Sequence, residues 1–270
     1  IGEVTKDQLI SYMVGRELNK NFAQRSTQTS EVLLETRELG GNGVKPFSLT
    51  LHRGEVLGLG GLVGAGRTEL LETIFGVRTR AAGRVYFKDR LMNFTSAKEA
   101  IEHGFAMITE ERKANGLFLK CDLTFNTTIA SLEQYKSGPA LSNPKMVKAT
   151  SKEIKTMRTK CMGPDDMITS LSGGNQQKVI FGKWLERDPQ IFMMDEPTRG
   201  IDVGAKYDIY ELIIQMAKQG KTILVVSSEM PEILGITNRI GVMSNGYLSG
   251  IVNTAETDQE ELLRLSAKYL

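Results

Sequence analysis

Short apolar stretches set the rhythm of the chain before any motif is considered. Over residues 31–51, Val32-Leu33-Leu34 and Phe47-Ser48-Leu49 alternate with turn residues, the pattern of edge strands in a small antiparallel sheet, and Gly40-Gly41-Asn42-Gly43 separates them. Residues 55–60 predict a buried strand that runs directly into a glycine loop and then into Glu69-Leu70-Leu71-Glu72-Thr73-Ile74-Phe75. In that segment Leu70, Leu71, Ile74 and Phe75 fall on one helical face. Residues 84–87 and 91–94 flank Lys88-Asp89-Arg90 as a hairpin. From about 110 to 187 the sequence is mostly polar with few β-branched runs, which predicts an inserted helical lobe. Strands return at Ile191-Phe192-Met193-Met194 and Thr222-Ile223-Leu224-Val225-Val226, with an amphipathic stretch at 205–218 between them. Strand, helix, strand in that order implies a parallel sheet covered by helices, so the fold class is α/β. Asn245-Gly246 marks a last hairpin. Residues 1–30 are polar and mixed and read as a tail or linker, which leaves 31–270 as the folded unit.

Composition narrows the function classes. A chain of 270 residues with 40% hydrophobic content can bury one sizeable core without metals or disulfides. Its 34 basic and 32 acidic side chains leave a formal charge of +2, far from the basic excess that binding a phosphate backbone requires, so no nucleic-acid partner is expected. Cys121 and Cys161 lack the paired spacing of a zinc site and read as structural thiols of a reducing compartment. His52 and His103 have no ligand partners at metal spacing and read as surface or boundary residues. Residues 56–66, the longest apolar run near the front, are glycine-rich and well short of the ~20 residues that span a bilayer, so a membrane role would come through a partner. The start at Ile1 without a signal segment reads as a processed or excised piece.

Three stretches carry chemistry. Gly61-Leu62-Val63-Gly64-Ala65-Gly66-Arg67-Thr68 fits the phosphate-binding loop except that Arg67 stands where lysine is expected. Glycines let such a loop curl its N–H groups and the next helix N-terminus around phosphates, and the Thr68 hydroxyl can ligate Mg²⁺. Asp195 and Glu196 close a buried apolar strand with two carboxylates, a costly placement unless a cation or reacting group sits there. Asp195 would hold Mg²⁺ and Glu196 would polarise an attacking water. Leu171-Ser172-Gly173-Gly174-Asn175-Gln176 opens a predicted helix with a serine and two glycines, a second place for an anion.

Together these stretches resemble the ATP-binding cassette of the ABC transporter family over residues 31–270. The resemblance implies a P-loop NTPase fold: a mixed core sheet with flanking helices, an antiparallel β subdomain and the inserted helical lobe. It implies ATP and Mg²⁺ as ligands, with Thr68, Asp195 and Glu110 around the metal. It also implies that two cassettes pack head to tail, so that residues 171–176 face the ATP of the partner cassette. Asp195-Glu196-Pro197-Thr198-Arg199-Gly200-Ile201-Asp202-Val203-Gly204-Ala205-Lys206, Ser227-Ser228-Glu229-Met230-Pro231-Glu232 and the Asn-Gln-Gln at 175–177 are similar to the second cassette of tandem bacterial monosaccharide importers. Met13-Val14-Gly15-Arg16-Glu17-Leu18 resembles the end of their first cassette. Residues 104–112 and 261–265 resemble most the galactose and methyl-galactoside importers. That group implies an energy-coupling ATPase, peripheral on the cytoplasmic face of the membrane. Its partners would be a first cassette on the same polypeptide, membrane permease subunits and, indirectly, a periplasmic or extracellular sugar-binding protein. The junction at Glu110-Glu111-Arg112 and the adjoining lobe would receive a cytoplasmic helix of the permease.

Several positions depart from an active half-site. Arg67 is bulkier and fork-shaped beside the expected ammonium. Glu110 stands where a glutamine is usual, and Ser228 where a histidine contacts the γ-phosphate. No aromatic upstream of the loop is placed to stack on adenine; Phe47 is the nearest and reads as core. Catalytic roles therefore fall on Glu196, Ser228 and Glu110 in a weakened own site. Two other readings remain: a regulatory half that binds nucleotide without hydrolysing it, and a soluble cassette ATPase unconnected with transport.

Overall fold

The computed structural model describes residues 29–270. The tail expected over 1–30, and with it the resemblance at 13–18, lies outside the described residues apart from Thr29 and Ser30. In chain order the elements are β1 (Val32–Gly41), β2 (Val44–His52), β3 (Val56–Gly61), α1 (Arg67–Phe75), β4 (Arg80–Phe87), β5 (Arg90–Met92), α2 (Ala97–Glu102) and β6 (Phe105–Ile108). The lobe follows, with a π-helix at Arg112–Gly116, α3 (Leu123–Thr128), β7 (Lys136–Ser137), β8 (Ala140–Leu141), α4 (Asn143–Thr156) and α5 (Gly173–Leu185). The chain then returns through β9 (Ile191–Asp195), α6 (Val203–Lys218), β10 (Thr222–Val226), α7 (Met230–Ile236), β11 (Arg239–Ser244), β12 (Tyr247–Asn253) and α8 (Gln259–Ser266).

The strands form an antiparallel sheet in the order β2-β1-β4-β5 and a mixed sheet in the order β12-β11-β3-β10-β9-β6. In the mixed sheet β11, β3, β10, β9 and β6 pair in parallel and β12 is antiparallel on the edge. The α/β class, the antiparallel subdomain and the hairpin at Asn245-Gly246 agree with the sequence pattern. Three details differ. β1 is an inner strand, paired with β2 on one side and β4 on the other, because alternation reports which face is buried and not how many neighbours a strand has. The second strand of the hairpin stops at Met92; Phe94 leaves the ladder and turns into the core, 5.1 Å from the Phe105 ring. The lobe also contains the two-residue hairpin of β7 and β8.

The parallel strands are apolar on both faces because both faces are covered. Ile191 and Met193 of β9 pack with the antiparallel sheet and the α1 residues Leu70, Leu71, Ile74 and Phe75. Phe192 and Met194 pack on the other side with α5 and α6. Trp184, near the C-terminal end of α5, packs against that second cluster. Phe47 is buried in the first cluster, as its sequence context suggested. His103 is exposed, and His52 lies at the boundary, its Nδ1 3.0 Å from the buried Glu55 carboxylate.

Candidate functional site

The parallel ladder brings four chain segments to one end of the sheet. Val226 of β10 lies opposite both Asp195 of β9 and Leu59 of β3, and Ile108 of β6 lies opposite Met194. The residues that follow these strands, 61–68, 109–110, 195–196 and 227–228, therefore converge beyond their C-terminal ends, where open α/β sheets bind ligands. Gly61 closes β3 with φ 149°, and a Cβ there would stand 2.5 Å from the Met243 carbonyl oxygen. Gly66, the residue before α1, has φ 96°, and a Cβ would stand 3.0 Å from the Gly43 carbonyl oxygen. Only glycine fits both places without displacement.

The loop borders a cavity of about 410 Å³. Val63, Gly64, Ala65, Gly66, Arg67 and Thr68 line one wall, and Glu110, Asp195, Glu196 and Ser228 face them. Gly61 and Leu62 do not line the cavity; Gly61 belongs to the end of β3. Thr68 Oγ1 donates to Asp195 Oδ2 at 2.7 Å. Asp195 is buried, and its Oδ1 has no hydrogen-bond partner. Burial pushes its carboxyl pKa up, against the Thr68 hydrogen bond and the Arg67 charge. An orphaned buried carboxylate oxygen beside a threonine hydroxyl is a hard oxygen donor set, and it fits Mg²⁺.

Glu196 is held from two sides. Its φ is 46°, in the left-handed region that a non-glycine residue holds only where its surroundings fix it. Ser228 Oγ donates to its Oε2 at 3.2 Å, and Arg67 Nη1 lies 3.5 Å from its Oε1. Burial raises the Glu196 pKa even with Arg67 and Ser228 opposing it. Arg67 is itself buried, and its Nη1 donates to the Ser227 carbonyl at 2.9 Å. Glu110 reaches the cavity as expected but is ion-paired with Arg199, an exposed residue that also lines it. Sequence reasoning assigned no role to Arg199; it follows the two carboxylates by three positions, and only the fold brings it across to Glu110.

The stretch at 171–176 lies elsewhere. It lines a second cavity of about 320 Å³ through Ser172, Gly174 and Asn175, together with Lys160, Lys178 and Asp202. None of its residues lines the loop cavity. Ser172 directly precedes α5 without a side-chain capping bond, and its hydroxyl accepts from Asn175 Nδ2 at 2.9 Å. Leu171 is buried. Gly173 lies against Arg112, whose Nη2 would be 3.0 Å from a Cβ there. Gly174 is required for packing: a Cβ would stand 2.5 Å from the Ala205 Cβ on α6. Gln176 departs from the sequence reading, which put it among the residues facing a partner's ATP. It is buried, and its Nε2 donates to the carbonyls of Ile168 and Leu171 at 3.2 Å, so it braces the loop from behind.

A loop that ends a central parallel strand, an acidic strand end opposite it and a serine before a further helix that lines a different cavity define a P-loop nucleotide-binding cassette. The ABC transporter profile matches residues 44–199. Among relatives, the galactose/methyl galactoside import ATP-binding protein MglA of Treponema denticola is 59% identical over 98% of this chain and 54% of its own length. Those of Treponema pallidum and Escherichia coli are 56% and 49% identical over 100% and 99% of this chain, and over 55% and 54% of their own lengths. The chain thus spans about half the length of the curated relatives it matches. Solved structures share the fold: MJ1267, an ATP-binding cassette of an ABC transporter, superposes with a TM-score of 0.75 at 20% identity, over 87% of this chain and 99% of its own. The MJ0796 cassette dimer bound to ADP and Pi superposes with a TM-score of 0.71 at 20% identity, over 82% of this chain and 99% of its own. The chain belongs to the ABC transporter family.

Proposed function

We propose that this chain is the second, C-terminal cassette of an energy-coupling ATPase that drives import of galactose, methyl galactoside or a related monosaccharide. The relatives named for that import, matched over half their length, support the substrate class and the tandem arrangement. No helix among the described residues is long and apolar enough to cross a membrane. Coupling would run through permease subunits at the cytoplasmic face, as the relatives' import role suggests. A first cassette on the same polypeptide supplies the facing half of each site, and a sugar-binding protein acts indirectly from the other side of the membrane.

The observation that carries the division of labour is the engagement of Arg67. Its guanidinium spends donors on the Ser227 carbonyl and lies against Glu196, so the cation of the loop and the carboxylate that would polarise water restrain each other. Thr68 and Asp195 would hold Mg²⁺, with Glu110 available only when released from Arg199. When bound, the metal would neutralise charge on the phosphates. Glu196 and Ser228 orient the water side of the cavity, and Gly64 to Thr68 supply backbone N–H groups to the phosphates. The own site is therefore slow. The start of α5, where Ser172 is exposed and lines a different cavity, would complete the partner's site.

The test uses the full-length protein with and without its permease in liposomes. ATP hydrolysis should rise several-fold on reconstitution, and further with galactose-loaded binding protein. Stimulation by DNA or ribosomes instead would make it a cassette ATPase outside transport.

A further inference from the structure

Glu232 lies on α7, outside both cavities, and is 5% exposed. Its carboxylate accepts from Thr198 Oγ1 at 2.8 Å, Ser227 Oγ at 2.8 Å, Lys206 Nζ at 2.9 Å and Tyr210 OH at 2.5 Å. A buried carboxylate is costly unless its lone pairs are used, and here donors from separate segments use them. Burial pushes its pKa up, but the bonds from Tyr210, Lys206, Ser227 and Thr198 outweigh burial and hold the carboxyl below the usual range.

The donors belong to both half-sites. Thr198 stands two residues beyond Glu196. The Ser227 carbonyl receives Arg67, and the neighbouring Ser228 hydroxyl donates to Glu196. Lys206 and Tyr210 are on α6, whose Ala205 is the residue Gly174 packs against and whose capping Asp202 lines the cavity beside Ser172. One carboxylate therefore grips the turn over the chain's own nucleotide cavity and the helix that supports the stretch at 171–176.

We infer that Glu232 is a positioning residue that locks the loop cavity and the signature stretch into one rigid arrangement, so that the geometry of one half-site sets that of the other. The inference rests on the reading of 171–176 as half of a partner's site. A bond network that only holds the fold together predicts independent contributions; a shared lock predicts that cutting either side has the same effect as cutting both.

The experiment uses the full-length protein. Hydrogen exchange without nucleotide should show, in Ser227→Ala, faster exchange at 227–229 and also at 172–176 and in the first turns of α6. Tyr210→Phe should show the same set. In the reconstituted transporter each variant should lower kcat about threefold to tenfold with KM for ATP within about twofold, and the double variant should be no worse than the poorer single. Glu232→Gln should match the double; the single-bond variants stand in for it if it does not fold. Exchange changes confined to the mutated segment, or losses in kcat that multiply, would overturn the lock. Exchange that spreads as expected in a protein the permease does not stimulate would uphold the lock and remove the transport reading instead.

Discussion

Arg67 Nη1 lies 3.5 Å from Glu196 Oε1 while donating to the Ser227 carbonyl at 2.9 Å. The cation that a phosphate loop offers to its ligand is thus turned onto the loop's own acidic neighbour, and ATP binding must break or share that contact. The isolated chain should bind Mg-ATP weakly and turn it over well below the ~1–100 s⁻¹ of competent phosphoryl-transfer enzymes. Arg67→Lys should tighten Mg-ATP about tenfold, equivalent to about 1.4 kcal/mol. Calorimetric titration and phosphate release measure both; unchanged affinity in the lysine variant would show that the guanidinium is no obstacle.

In the full-length protein Ser172→Ala should reduce steady-state hydrolysis at saturating ATP more than Glu196→Gln does, by about tenfold or more. Loss of a donor aimed at a developing phosphate charge costs on that scale. Gly174→Ala is a poor probe of the same point, because its methyl would meet Ala205 and shift α5 against α6. Equal losses from the Ser172 and Glu196 variants would show two equivalent sites.

Arg112 joins the junction to the signature stretch: its Nη1 lies 3.5 Å from the Arg199 carbonyl, its Nη2 packs on Gly173, and its Nε is buried without a partner. Arg112→Glu should therefore break the contacts that tie the junction to the Arg199 carbonyl and to Gly173. Permease-stimulated hydrolysis and transport should fall at least about fivefold, while equilibrium ATP binding by the full-length protein stays within about twofold. Transport at the wild-type rate would remove Arg112 from the coupling path.

Lys183 on α5 is buried, and its Nζ donates to the Gly116 carbonyl at 2.8 Å. Burial lowers its pKa from 10.5 to about 8. Between about 8 and 10.5 the unfolded chain holds more protons at this residue than the folded one, so stability from this group rises with pH across that window. The full span corresponds to about 3 kcal/mol at 1.36 kcal/mol per unit. Lys183→Met should flatten the rise, read as the denaturation midpoint against pH; an unchanged slope would mean that Lys183 keeps its ordinary proton affinity.

Much of the molecule was legible in the sequence because it is written in short-range patterns. Local apolar runs and turn residues predicted β3, α1, β9 and β10 in nearly their observed places, and the glycines at 61–66 and the carboxylates at 195–196 marked the loop and the strand end opposite it, because phosphate cradles and buried charge need those residue types. Phe47 was correctly read as a packing residue, because phenylalanine is usually buried. Alternation along one strand could not reveal that β1 has two neighbours, nor a polar residue's identity that Gln176 turns inward. The contacts that set the site's chemistry join residues far apart in the chain: Arg67 to Ser227, Glu110 to Arg199, and Glu232 to Thr198, Lys206, Tyr210 and Ser227. The register of β3, β6, β9 and β10, together with the packing of α6 against α7, brings them within hydrogen-bonding distance. Charge and reach are properties of a residue, but the partner that uses them is chosen by tertiary packing.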